Sequence, residues 1–420
     1  MNFRAQKYQF CFCCIVFCSI APASAQAQSV DLTNNFNLNY KSLTKADAKK
    51  VGSFYYGGFA GSEIGYDDNF QESSENSEGS FFTRNRGRVW LNSDFEKHAF
   101  SASANVAHRH FFESTEENEI FANFFTYGRL DLSEDTQFEL IGSYKLDEEA
   151  RGPSSFGFNP ANTSQDQEFE TRSFLTKNFD KFAVTLRSGV TYTKQDESIS
   201  NDGIDLNRDD EDHLLYDVRL RGSLNVSDKL NTFLEAGYNK RDFDQTFDRN
   251  GFERGSEGVH AAAGLYFKPA SNLSGEIAAG YRYQDFPDQQ FDSLSTFTLD
   301  LWTTWAVTEK LNFSVVLDTL LDEETNFGDA ATLTRSAFIQ ADYRPIDTIR
   351  LFAKSYYSRE DDIGSDEGLH HTFIGTLGSD FELNPNLYVT AQYEHERFYA
   401  GFQNGDFAAN RFSLGLSVKH

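Results

Sequence analysis

The chain has 420 residues and a formal net charge of −26, with 38 Lys and Arg against 64 Asp and Glu. So acidic a chain lacks the cations that nucleic-acid phosphates require, which excludes nucleic acid as a partner. At 39% hydrophobic and 24% charged it is a folding chain, and Phe 42 and Tyr 19 against Met 1 favour strands.

Residues 1–25 read as a secretory signal peptide. Arg4 and Lys7 make a basic start, Phe10 to Ile20 is an apolar run, and Ala23-Ser24-Ala25 is a small-residue cleavage site near Ala25. All four cysteines (Cys11, Cys13, Cys14, Cys18) fall inside this leader. The exported remainder therefore has no disulfide, so it is not a small cross-linked extracellular domain. Beyond the leader no run of about 18 apolar residues occurs, and no transmembrane helix is expected. A closed β-barrel is the other way for a chain to cross a bilayer.

Residues 26–52 are polar and without a clean period, and read as a periplasmic N-terminal arm with a short helix around Lys45 to Val51. From 53 to 420 one unit repeats: strand, long polar loop, strand, short turn. The short turns are Glu96-Lys97, Ser133 to Thr136, Asp180-Lys181, Ser227 to Lys229, Pro269 to Asn272, Thr308 to Lys310, Pro345 to Thr348 and Asn384 to Asn386. Longer loops fall near 68–78, 113–118, 148–167, 196–212, 244–256, 286–292, 322–330, 360–367 and 400–408. These connections imply an all-β fold, a transmembrane antiparallel up-and-down β-barrel of about 18 strands (16–18), with short periplasmic turns and long acidic extracellular loops. A soluble sandwich of this size would need several domains, and no linker or composition shift divides the chain.

Period-two alternation supports the strands. Phe138, Leu140, Gly142, Tyr144 and Leu146 share one parity, as do Phe182, Val184, Leu186, Val190 and Tyr192. In the hairpin from Thr372 to Tyr393, Leu377, Phe381, Leu387 and Val389 form the apolar face, and Asp380, Gln392 and Glu394 the polar one. Apolar runs of roughly 9–11 residues suit a tilted strand across a bilayer. Aromatics near strand ends, such as Tyr66, Tyr238, Tyr343 and Tyr393, would form interface girdles.

The polar parity marks a lumen. Arg84, Arg86 and Arg88 lie on one strand, and Arg129, Arg172, Arg187, Arg219, Arg221, Arg282 and Asp300 join them as lumen-lining candidates. Acids accompany them: Asp131, Glu139, Asp217, Glu235, Glu276, Asp318 and Asp342. Such charges either form a structural salt-bridge lattice or line a solute path, with Arg forks for anionic groups and Trp90, Trp302 or Tyr388 as sugar-stacking faces. The loop acids, among them Asp67, Glu72, Glu119, Asp210, Asp212, Glu360, Asp361 and Asp362, read as a solvated outer face. A sharper reading makes them bridge divalent cations to surface lipopolysaccharide phosphates.

Catalytic and metal signals are thin. Asp248, Asn250, Gly251 and Glu257 fit four positions of a calcium loop, but Thr246 stands where the leading acid belongs. His108 and His110 share a strand face without a third ligand. No GxSxG, HExxH or phosphate-binding glycine loop occurs, so neither an enzyme, a cofactor nor a metal site is expected.

Gly65-Tyr66-Asp67-Asp68-Asn69-Phe70, followed by an acidic loop and the strand from Arg86 to Phe95, resembles the putative β-barrel porin 2 family over most of the mature chain. The resemblance implies an exported barrel in the outer membrane of a Gram-negative bacterium, of a kind often associated with exopolysaccharide export. It carries no functional residues over. The expectation is a channel for exopolysaccharide or another hydrophilic solute. The alternatives are a structural or adhesive barrel with a plugged lumen, and a general diffusion porin. Expected partners are outer-membrane lipid, lipopolysaccharide and polysaccharide export machinery; the sequence leaves oligomeric state open.

Overall fold

The computed structural model describes residues 48–149, 164–199, 205–322, 330–363, 369–400 and 405–419. The leader, most of the N-terminal arm and the middle of the 148–167 loop lie outside the described residues. Eighteen long strands follow one another. The first six are β1 Phe54–Asp67, β2 Ser80–Ser93, β3 Ala99–Phe111, β4 Glu119–Asp131, β5 Thr136–Glu149 and β6 Ser164–Phe179. Next come β7 Phe182–Gln195, β8 His213–Ser227, β9 Leu230–Phe243, β10 Ser256–Ala270, β11 Leu273–Asp285 and β12 Leu294–Ala306. The last are β13 Leu311–Asp322, β14 Ala331–Ile346, β15 Ile349–Ile363, β16 Leu369–Asn384, β17 Leu387–Tyr399 and β18 Phe407–Lys419.

Each strand pairs antiparallel with the next, and β18 pairs with β1 from Phe59↔Lys419 to Asp67↔Arg411, which closes the barrel. Followed once around, the registers return displaced by about 22 residues, which for 18 strands sets a tilt of about 40° and a backbone diameter of about 36 Å. The expected turns and loops all join the strands they were assigned to. Two details differ. Lys49–Val51 is a short strand paired with Phe54–Tyr56, not a helix, because its backbone finds the β1 edge as partner. Glu360, Asp361 and Asp362 belong to β15, which runs to Ile363.

Local chemistry closes the short turns. Asp180 takes φ 42° in the two-residue turn between Phe179 and Phe182, a left-handed conformation that a short polar side chain tolerates. Thr308 Oγ1 accepts the N–H groups of Lys310 and Leu311. Asp135 accepts from Lys177, Ser133 and Thr136, and these bonds, Lys177 first, hold its carboxyl well below the usual range.

The apolar side chains point outward. Phe297 is 77% exposed and Leu234 70%, and Val89, Leu220, Leu377, Leu414 and Leu416 lie in the same outer band. A surface that apolar is unsuited to water, so the band meets lipid. Buried apolar clusters sit inside or at the mouth. Phe70, from the loop after β1, packs on Phe82 and Phe111 of the inner face, so this loop folds into the opening. Opposite it, Phe286 and Phe291 pack with Ala330, Ala331 and Phe252.

One seam departs from regular pairing. β12 and β13 share a ladder only between Leu301↔Leu317 and Ala306↔Asn312. Above it the Thr319 side chain stands in for the ladder. Leu299 N–H donates to Thr319 Oγ1 at 3.1 Å, and that hydroxyl donates to Leu299 C=O at 3.3 Å.

Candidate functional site

The inner wall is where alternation puts the charge. All ten expected lumen-lining residues face inward, because each has the parity opposite to the exposed apolar residues of its own strand. The register then strings several of them into an oblique row, Arg129–Glu139–Phe174–Arg187–Arg219–Gly237–His260–Arg282–Thr296, on nine consecutive strands. Gly237 leaves room there for the side chains on either side. A Cβ at that position would meet His260 Cε1 at 2.2 Å and Arg219 Cγ at 3.0 Å.

Carboxylates on the flanking rows answer most of these guanidinium groups. Arg219 Nε lies 2.8 Å from Asp217, which Arg187 also approaches at 3.7 Å. Arg221 bridges Glu235 at 2.8 Å and Glu276 at 3.0 Å, its guanidinium 3.9 Å over the Phe233 ring. His260 Nε2 stands 3.3 Å from Glu235. Arg129 pairs with Asp131 at 3.1 Å, and Arg172 with Glu170. Arg84 and Arg86 converge on Glu63 at 3.0 and 3.4 Å, and Arg88 continues their line on the inner face. Asp300 accepts the Thr319 N–H at 3.3 Å. Among the described residues the Nε atoms of Arg187 and Arg282 have no hydrogen-bond partner. The wall is a nearly balanced lattice with guanidinium capacity to spare along one row.

The expected sugar-stacking rings fare differently. Trp302 is half-buried on the inner face beside Tyr266, ring centroids 6.1 Å apart. Trp90 is buried, and Tyr388 spends its hydroxyl on Pro385 C=O at 3.2 Å.

Sequence reasoning missed the densest cluster. Arg411 of β18 is buried, with Nε 2.6 Å from Asp67 and Nη1 3.1 Å from Glu394 and 2.6 Å from Glu396; Nη2 lies 3.6 Å from Glu72. Arg109 makes a second buried pair with Glu119 at 3.0 Å. This corrects the expectation for Asp67, Glu72 and Glu119, which turn inward to buried arginines instead of facing solvent. Asp210 and Asp212 are also buried. Asp210 accepts Arg249 Nε at 2.9 Å. Burial of Asp210 pulls its pKa up, but hydrogen bonds from the Arg249 side chain and backbone outweigh that and hold it below the usual carboxylate range. Asp212 is pushed above it, chiefly by burial. The parity of Arg411, opposite Phe412 and Leu414, was the available signal.

The weak metal motifs resolve as structure. Asp248 accepts N–H groups from Asn250 and Phe252 and pairs with Arg254 at 2.8 Å, an arginine where a cation would sit. Glu257 lies apart, accepting Tyr238 Oη on the outer face. His108 and His110 stack on the outer face, ring centroids 6.4 Å apart. Among the described residues no group of three or more potential ligands could hold a metal ion.

A family model described as putative beta-barrel porin 2 matches residues 45–420. No curated protein matches the chain. Among solved structures it is similar to the siderophore receptor PiuA from Acinetobacter baumannii, at 11% identity and TM-score 0.45, over 89% of this chain and 82% of that one. The FrpB iron transporter from Neisseria meningitidis (F3-3 variant) matches at 9% identity and TM-score 0.45, over 84% of this chain. The match spans 63% of the FrpB chain, less than two thirds of its length.

Proposed function

The chain belongs to the putative β-barrel porin 2 family, and from that premise we propose that it passes a hydrophilic polymer, an exopolysaccharide, across the outer membrane without catalysis. The observation that carries this is the continuous charged inner wall on a barrel about 36 Å across, wider than side chains from the wall alone fill. The row from Arg129 to Arg282 offers guanidinium forks to acidic sugars, and Tyr266 and Trp302 offer faces for pyranose rings. On this reading a leader is removed near Ala25 on export, and polysaccharide export machinery meets the periplasmic turns.

Two measurements test it. Deleting the protein should leave polymer in the periplasm and none on the surface, and re-expression should restore export. In planar bilayers the purified barrel should conduct, and Arg187/Arg219/Arg282→Ala should shift selectivity toward cations. Normal surface polymer in the deletion strain would reject export, whatever the conductance.

A structural barrel with an obstructed mouth is the second reading. The inward fold of the 68–79 loop, pinned by Phe70 and by Glu72 near Arg411, favours it. It predicts no conductance and loss of envelope integrity or attachment instead of loss of polymer.

A further inference from the structure

β12 and β13 stay paired with their other neighbours to their upper ends, yet they part from each other partway up. β11 holds β12 as far as Gln284↔Leu294, and β14 holds β13 as far as Asp322↔Thr332. Between β12 and β13 the ladder stops at Leu301↔Leu317. One step further, the same register would set Asp300 directly against Asp318 on the inner face. Like charges directly opposite across a strand pair are destabilising, which gives the ladder a reason to end there. From β11, Glu276 adds a third carboxylate to this field and Arg282 a guanidinium.

Side chains close the gap. Thr319 Oγ1 serves both backbone groups of Leu299, and Asp300 Oδ1 accepts the Thr319 N–H at 3.3 Å. Higher up, Arg335 of β14 reaches across β13 and donates to Thr296 Oγ1 at 3.1 Å. Leu294 of β12 and Leu321 of β13 rest against the cluster of Phe286, Phe291 and Ala331. Each of these links uses a side chain, so rotamer changes release it without unzipping a ladder. The lips also change polarity from inside to outside. Thr296, Asp300 and Asp318 belong to the inner face, while exposed Phe297 and Leu299 stand in the outer apolar band. The parted stretch therefore runs from polar lumen to lipid.

We propose that the upper β12–β13 seam is a lateral portal between the lumen and the outer leaflet for an acyl-anchored saccharide. Such an amphiphile keeps its sugars against the polar inner lip while its chains stay in lipid beside Phe297 and Leu299. The proposal rests on the reading that the lumen carries a saccharide, and adds the route taken by one with a lipid anchor.

The test uses the exported barrel in nanodiscs whose lipid carries a radiolabelled dialkyl maltoside. All four cysteines lie in residues 11–18, so introduced pairs are the only thiols beyond the leader. A photoreactive Thr298→p-benzoylphenylalanine change on the inner lip should capture the glycolipid. Oxidising an added Leu299→Cys/Thr319→Cys pair should abolish capture, and reduction should restore it. An oxidised Thr303→Cys/Val315→Cys pair, in the regular ladder, should leave capture unchanged. Asp300→Asn/Asp318→Asn should lower capture about fivefold, the worth of removing a like-charged cross-strand pair. A heat-dependent gel shift checks that each variant is a folded barrel. Capture that survives the upper cross-link, or that the asparagine pair leaves unchanged, overturns the proposal. So does absence of capture in the unlinked barrel; if the upper pair resists oxidation, the asparagine pair decides. A barrel that conducts but never captures the glycolipid keeps the solute path and loses only the portal.

Discussion

Replacing Arg411 with methionine should destabilise the barrel more than any other single lumen substitution. The residue sits at the closing seam, where β18 pairs with β1 and Arg411 is the register partner of Asp67. Its guanidinium is the shared cation of Asp67, Glu394 and Glu396, with Glu72 of the inward-folded loop at 3.6 Å. Breaking one buried ion pair by removing one partner costs about 3–5 kcal/mol, because an uncompensated charge stays behind. Here several carboxylates lose their cation together, so the loss belongs at or above about 5 kcal/mol. Methionine keeps the volume, which separates the charge effect from a cavity. Reversible urea unfolding in detergent micelles, followed by tryptophan fluorescence, measures the change. The diagnostic step is second-site neutralisation: Glu394→Gln with Glu396→Gln should recover about 2 kcal/mol or more in the Arg411→Met background while destabilising the wild type. A loss below about 1 kcal/mol, or further loss on neutralisation, would refute the account of the seam as charge-stapled.

Other sites give independent checks. Gly65→Leu should cost about 1–3 kcal/mol, since its Cβ would lie 2.3 Å from Phe82 Cζ and 2.6 Å from the Phe412 carbonyl oxygen, which cannot move aside; an unchanged urea midpoint contradicts this. Thr319→Val keeps the shape but removes the hydroxyl that bridges β12 and β13, so the Leu299 amide should lose hydrogen-exchange protection while Leu301 keeps it. For Asp210 the folded pKa is depressed. Its contact with Arg249 therefore stabilises the loops fully above the unfolded value, about 3.9, and fades as pH falls through the folded value. Protection of the Arg249 amide, corrected for intrinsic rate, should persist at pH 6 and vanish at the acid end; equal protection at both would exclude the mechanism.

The architecture was legible because two sequence signals agree with one physical requirement. Strands such as Phe182 to Tyr192 alternate at period two, and short turns such as Asp180-Lys181 alternate with long loops. A bilayer demands that every strand be paired, so such a chain must close. The lumen residues were legible for the same reason: parity alone put Arg187, Arg219 and Arg282 opposite Leu186, Leu220 and Tyr281. The expectations that the structure overturns concern the ends of strands. Asp67, Glu72 and Glu119 look like solvated loop acids, and nothing local says that Arg411 and Arg109 await them.

The sequence by itself determined an antiparallel barrel of about 18 strands (16–18) and, along the middle of the strands, which side chains face in and which face out. Those follow from local alternation and from the cost of polar backbone in lipid. Only the tertiary structure decided which charges become partners. Arg411 and Asp67 are 344 residues apart, and their pairing follows from the register in which the last strand meets the first. The row from Arg129 to Arg282 arises the same way, from the shear of the barrel. Shear sums every register around the wall, and no single stretch of sequence holds it.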